Sequence, residues 1–116
     1  MNANAKAWVA ALRSGKYAQG KNLLRTATGR FCCLGVACEL AAEAGVIASF
    51  TDGGYGIEHE NKVLPEQVIN WLGLRNDAGY YGGNSLAQMN DSGATFDNIA
   101  DLIEREPRGL FKKEPK

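Results

Sequence analysis

The first thirty residues contain the side chains best suited to bind a ligand. Cations, aromatic rings and an amide lie there within one short stretch: Trp8, Arg13, Tyr17, Gln19, Lys21 and Arg25. Cationic side chains bind phosphate groups through their charge and N–H donors, while aromatic rings and amides suit a planar base and its polar edge. We therefore predict a site for a small anionic ligand, with the cations on phosphates, the rings stacked on the base and Gln19 at the base edge.

This site has alternatives that the sequence leaves open. The same stretch can be a solvated basic face, with Tyr17 partly in the core. Trp8 lies on an apolar helix face, where core packing is the competing role. Asn90 and Asp91 stand in an Asn-Asp-Ser-Gly turn and are secondary candidates for ligand contact, with capping and turn formation as the alternative.

Charge is divided unevenly along a chain whose formal net charge is zero. Residues 1–30 hold six cations and no acid: Lys6, Arg13, Lys16, Lys21, Arg25 and Arg30. Residues 31–60 hold five acids and neither Lys nor Arg: Glu39, Glu43, Asp52, Glu58 and Glu60. Either the two segments pack together and neutralise each other, or the first presents a basic surface to an anion. The zero net charge argues against general binding to nucleic acid.

Cys33 and His59 are the residues that would serve a hydrolase. Cys33 falls at the predicted start of a helix, where the pKa of a thiol is lowered, and His59, the single histidine, is a candidate base for it. The competing explanation is that Cys32, Cys33 and Cys38 are small buried residues. Adjacent cysteines suit a tetrahedral centre poorly, and Cys33 and Cys38 are spaced too widely for zinc. We therefore predict no metal site, and no cofactor.

These residues must be positioned by one domain, since a chain of 116 residues is the size of a single core. Apolar periodicity, turn residues and glycine stops predict a series of elements: a helix at 4–14, a hairpin near 22–26 and 30–33, a helix at 33–44, a hairpin at 46–50 and 55–59, a helix at 65–72, a loop at 75–85, a short helix at 86–89 and a helix that Thr95 caps. The order predicts an α+β fold of about four helices with one or two short β-hairpins forming a small sheet, and a frayed tail at 111–116. Gly35, inside the second helix, predicts close packing there.

Composition also bounds the compartment. No apolar run approaches the roughly 20 residues that cross a bilayer, and the polar start lacks the apolar core of a signal peptide. An odd, clustered set of cysteines favours free thiols in a reducing environment. We therefore predict a cytoplasmic protein that does not associate with membranes.

Four motifs resemble small uncharacterised proteins of phages and prophages. They are W-x3-L-R-S-G-x-Y-x-Q-G at 8–20, C-C-L-G-V-x-C-E-L at 32–40, L-P-x-x-V at 64–68 and L-x-x-x-N-D-x-G-x-x-F-x-x-I-A at 86–100. The resemblance covers most of the chain and implies a viral setting. Small proteins of that setting are often accessory proteins, including ones that counter host defence.

Taken together, these observations predict a non-enzymatic phage accessory protein in the host cytosol. It would sequester a small anionic ligand, such as a nucleotide signal of host immunity, in a pocket that two copies could share as a homo-oligomer. One alternative is an inhibitor that blocks a host defence enzyme through the tyrosines of residues 75–85. The other is a hydrolase that uses Cys33 and His59.

Overall fold

Five helices and one β-hairpin make up the part of the chain that the structure describes. This computed structural model describes residues 1–51, 54–55 and 62–112. In chain order the elements are α1 (Ala3–Arg13), α2 (Cys33–Glu43), α3 (Glu66–Leu72), β1 (Tyr80–Tyr81), β2 (Asn84–Ser85), α4 (Leu86–Asp91) and α5 (Phe96–Glu104). The predicted α+β class, with several helices and a small sheet, is confirmed.

The helix α2 lies at the centre of the fold, in contact with α1, α3 and α4. Its sequence is apolar around most of the circumference, as expected for a helix covered on several sides. The residues of α2 that are buried are Cys33, Leu34, Gly35, Val36, Ala37, Cys38 and Ala41. The helix α1 packs on α2 and also on α5, so that the first and the last helix of the chain are in contact.

The close packing predicted at Gly35 is confirmed. A Cβ atom built on Gly35 would lie 1.6 Å from the carbonyl oxygen of Leu24. The same carbonyl oxygen accepts a hydrogen bond from the backbone N–H of Cys32, at 3.3 Å. The chain before α2 therefore crosses the helix at a point where no side chain fits.

The predicted hairpin at 22–26 and 30–33 is present only in reduced form. The turn closes, since Thr26 N donates to the carbonyl oxygen of Arg30 at 2.8 Å, but the pairing is one antiparallel bridge between Arg25 and Phe31. Phe31 forms a second bridge, a parallel one, with Gln19. Asn22 has a left-handed φ of 69°, which interrupts the predicted first strand at its beginning.

The regular hairpin lies instead within residues 75–85, where a loop was predicted. Tyr80 pairs with Ser85 and Tyr81 with Asn84, and the two glycines between the strands have φ values of 50° and 87°. Positive φ at both central residues is the type I′ geometry that suits two-residue hairpins. The Gly82-Gly83 pair is therefore the sequence feature that indicates this hairpin.

The hairpin predicted at 46–50 and 55–59 is not formed within the described residues. Residues 46–50 are not a strand, and one isolated bridge joins Thr51 to Gly54. Most of the predicted second strand lies outside the described residues, as does most of the predicted tail. Among the helices that the structure describes, none is long and apolar enough to cross a membrane.

Candidate functional site

Three of the predicted ligand contacts lie together, but they bind each other and the main chain. Asn90 is fully buried at the end of α4. Its Oδ1 accepts hydrogen bonds from Gln19 Nε2 at 2.9 Å and from Cys33 N at 3.1 Å, and its Nδ2 donates to the carbonyl oxygen of Gly20 at 2.8 Å. Gln19 Nε2 also donates to a backbone carbonyl oxygen, at 2.7 Å. Asn90 therefore joins α4 to the start of α2 and to the preceding loop, which corrects its predicted role as a ligand contact.

Asp91 also binds the main chain of this loop. Its Oδ1 accepts a hydrogen bond from Asn22 N at 2.8 Å, at the residue whose φ is left-handed. Asp91 thus holds the local turn in place. Lys21, next to this turn, is exposed and has no ion-pair partner among the described residues.

Trp8 lies in the core, which corrects its predicted role as a stacking residue. Its side chain is fully buried, and its indole N–H donates to the carbonyl oxygen of Cys33 at 2.9 Å. A buried indole usually finds such a partner. Trp8 therefore anchors α1 to the first residue of α2 and presents no face to a ligand.

The predicted phosphate-binding arginines are paired with acids on two different elements. Arg13, at the end of α1, forms ion pairs with Asp101 and Glu104 of α5. A guanidinium nitrogen of Arg25 lies 3.5 Å from the carboxylate oxygen Oε2 of Glu39 in α2. The basic segment is therefore matched partly by residues 31–60, as one alternative proposed, and partly by α5, which the sequence did not suggest.

Arg25 and Tyr17 share a cluster of aromatic rings. The guanidinium carbon of Arg25 lies 5.3 Å from the ring centroid of Phe31 and 5.0 Å from that of Phe50. Tyr17 packs edge-on against Phe31, with centroids 5.4 Å apart. Burial, with help from the nearby acids of α2, raises the pKa of the Tyr17 hydroxyl. Tyr17 is thus partly in the core, as the alternative for this residue held.

The three cysteines are unsuited to nucleophilic chemistry. Cys33 is fully buried, its Sγ donates to the carbonyl oxygen of Leu86 at 3.5 Å, and burial raises the pKa of its thiol well above the usual range. Burial likewise raises the pKa of Cys32 to about 11 and that of Cys38 further. Desolvation outweighs the helix N-terminus here, which argues against the hydrolase alternative and agrees with the competing explanation that the three cysteines are small buried residues. His59 lies outside the described residues.

A cleft of about 980 Å³ lies at the other end of α1. This helix of eleven residues is about 16 Å long, and the predicted site follows its carboxyl end whereas the cleft adjoins its amino end. The cleft is lined by the cations Arg75, Arg108 and Lys112, the acid Glu106, the apolar residues Met1, Leu72, Pro107 and Phe111, and Asn2, Gly73 and Gly109. Sequence reasoning did not find this site.

Backbone pairing between two distant segments builds the cleft. The helix α3 ends at Gly73, whose φ of 77° is left-handed, and the chain then runs beside the carboxyl-terminal segment. Arg75 N donates to the carbonyl oxygen of Leu110 at 3.1 Å, and Lys112 N donates to that of Gly73 at 2.8 Å. This pairing brings the side chains of Arg75 and Lys112 to one surface, beside the loop that carries Arg108.

The cleft has an excess of positive charge. Arg75 and Arg108 are exposed, and among the described residues neither has an ion-pair partner. Lys112 Nζ donates to Asn70 Oδ1 at 2.9 Å. Glu106 Oε1 lies 2.6 Å from the ammonium group of Met1. Cations beside an apolar wall suit a ligand that has both an anionic and an apolar part.

Other site types find no support in the described residues, and comparisons with known proteins add little. No group of three His, Cys, Asp or Glu side chains in the described ranges could hold a metal ion.

One family model matches residues 1–107, and its description is "Domain of unknown function (DUF8296)". Neither the curated proteins nor the solved structures gave a match.

Proposed function

Since the chain belongs to the DUF8296 family, a domain of unknown function, we propose a function from the cleft itself: a non-enzymatic protein that binds and sequesters a small anionic ligand. The observation that supports this function is the group of three cations, Arg75, Arg108 and Lys112, around one cleft. Such a cluster raises the local concentration of anions and supplies N–H donors to phosphate oxygens.

The cleft is a better anion site than the basic segment near the start of the chain. Arg13 and Arg25 already face carboxylates, so an anion would have to displace Glu39 or the acids of α5. No such carboxylate partner is found for Arg75 or Arg108 in the described part of the chain. A volume of about 980 Å³ also falls within the range of small-molecule sites.

A nucleotide is the ligand class that we propose. Its phosphates would meet the cations, and its base would lie on the apolar wall formed by Pro107 and Phe111. The resemblance to phage proteins suggests the setting: the chain would bind a nucleotide signal of host immunity in the host cytoplasm and lower its free concentration. Sequestration needs no catalytic group, which agrees with the buried, protonated thiols.

A thermal-shift screen with nucleotides tests this function. The panel would contain cyclic dinucleotides, ADP-ribose and its cyclised isomers, and a ligand at 100 times its Kd should stabilise the fold by about 2.7 kcal/mol. We expect Arg75→Ala and Arg108→Ala to abolish the shift. Arg30→Ala, which removes an exposed arginine elsewhere, should preserve it.

The outcomes separate the candidate sites. A shift that is lost in Arg25→Ala and kept in Arg75→Ala would move the ligand to the basic segment. A panel without any shift would overturn the proposal for these ligands.

The exposure of Tyr80 favours a second function, inhibition of a host enzyme through the hairpin formed by β1 and β2. Tyr80 is 56% exposed, unlike the other large apolar residues described. Asn76 fixes its backbone, with Oδ1 accepting from Tyr80 N at 2.8 Å, and the hydroxyl of Tyr81 donates to the sulfur of Met89. An exposed tyrosine on a backbone that hydrogen bonds hold in place is typical of the residues that dominate protein interfaces.

Co-purification with host proteins tests this second function. Tyr80→Ala should abolish capture of the partner and leave the melting temperature unchanged, because the ring is exposed. Asn84→Ala, an exposed change on the paired strand, is the matched control. Equal capture by wild type and Tyr80→Ala would exclude the hairpin as the interface.

A further inference from the structure

Glu106 differs from the other residues of the cleft in charge, and among its non-glycine residues in backbone conformation. It is the acid among the lining residues, beside three cationic side chains. Its φ is 48°, in the left-handed region that side chains other than those of Gly, Asn and Asp rarely adopt.

The position of Glu106 makes this conformation more unusual. Glu106 follows the C-cap of α5, Arg105, where a left-handed residue is most often glycine. It also precedes Pro107, and residues before proline favour an extended backbone with negative φ. Backbone outliers of this kind cluster at functional sites.

The carboxylate of Glu106 pairs with a cationic group of the cleft. Its Oε1 lies 2.6 Å from the ammonium group of Met1, and nearly half of the side chain, 48%, is exposed. The carboxylate is therefore accessible and lies against a positively charged group of the cleft. A bound phosphate would approach the same surface.

We propose that the carboxylate of Glu106 competes with a bound anion for the positive charge of the cleft. Through this competition Glu106 sets how strongly the cleft binds phosphate groups. This inference rests on the proposed function, since it concerns the affinity of the same cleft. An arriving anion has to overcome the repulsion of the carboxylate or displace it.

Titration calorimetry with inorganic pyrophosphate as the probe tests the proposal, at a fixed ionic strength of about 0.1 M. Glu106→Gln removes the charge and keeps the shape. Glu106→Gly also removes the charge, and it suits the left-handed backbone. Two unit charges about 4 Å apart in water interact strongly enough to change a binding constant by about fivefold. Both variants should therefore bind pyrophosphate about fivefold or more tightly than the wild type.

Asp97→Asn is the matched control, because it removes one exposed acid in the first turn of α5, away from the cleft. We expect it to change the affinity less than about twofold. An equal gain in Asp97→Asn would show a general charge effect and would overturn the proposal. Unchanged affinity in both Glu106 variants, with a wild type that binds pyrophosphate, would overturn the competitor and leave the proposed function standing. Absence of binding in the wild type and in both variants would overturn the proposed function and the competitor with it.

Discussion

We expect that replacing Asn90 with alanine lowers the stability of the fold and removes no ligand contact. Asn90 is fully buried, and its amide meets the backbone N–H of Cys33, the side chain of Gln19 and the carbonyl oxygen of Gly20. In Asn90→Ala the N–H of Cys33 and the carbonyl oxygen of Gly20 both lose their partner. These groups belong to different segments, so the change acts on the contact between α4, α2 and the loop.

The expected magnitude follows from these lost partners. A buried polar group left unsatisfied costs about 1–3 kcal/mol, and the vacated volume adds a further cost. We expect a total loss of about 3–4 kcal/mol in the free energy of unfolding, a large part of the roughly 5–15 kcal/mol that stabilises a typical domain. For a domain of this size, each kcal/mol lowers the melting temperature by on the order of 4 °C.

Urea unfolding, followed by circular dichroism, measures this loss. Gln88→Ala is the control, since Gln88 lies on the same helix with an exposed side chain, and its loss should stay within about 0.5 kcal/mol. A loss below about 1 kcal/mol for Asn90→Ala would refute the reasoning, because it would mean that the amide is not the buried link between the three segments.

Three further results are expected. Gly35→Ala should destabilise the fold in urea unfolding by about 3 kcal/mol, the upper end of the usual cost of overpacking, because the new methyl group would overlap the carbonyl oxygen of Leu24; a neutral result would mean that α2 can shift freely. Cys33 should resist a thiol reagent in the native protein and become labelled as urea opens the core, since burial keeps the thiol protonated; rapid native labelling, followed by mass spectrometry, would contradict this. The stability of the fold should fall as pH rises from about 9 to about 11: the thiol of Cys32 ionises near its ordinary value of 9.0 when unfolded and only near 11 when folded, so the unfolded state loses its proton first. In Cys32→Ala this decline should be smaller, and an unchanged slope would show that other groups cause it.

Much of the local structure could be predicted because the responsible signals lie close together in the sequence. The helical spacing of Ala5, Trp8, Val9 and Leu12 predicted the face of α1 that is in fact buried. Thr95 caps α5 as expected, since its hydroxyl accepts from Asn98 N. The apolar circumference of α2 and its internal glycine predicted a central helix that another segment crosses closely.

The candidate site could not be predicted in the same way. Arg75, Arg108 and Lys112 belong to separate segments, and they meet because the chain after α3 pairs with the residues around Leu110. No local sequence motif indicates this pairing between the residues after α3 and those around Leu110. The arginines that looked most promising, Arg13 and Arg25, turned out to face carboxylates instead.

The sequence by itself determined where helices form, which of their faces are apolar and where the chain can pass closely, because these properties depend on neighbouring residues and on periodicity. Only the tertiary structure decided which polar groups are used up inside the fold and which remain accessible to a ligand. Asn90 and Arg75 are both polar residues near a turn, yet Asn90 is enclosed by three segments while Arg75 faces the cleft. The physical reason is that desolvation and charge pairing depend on groups far apart in the sequence, which folding alone brings together.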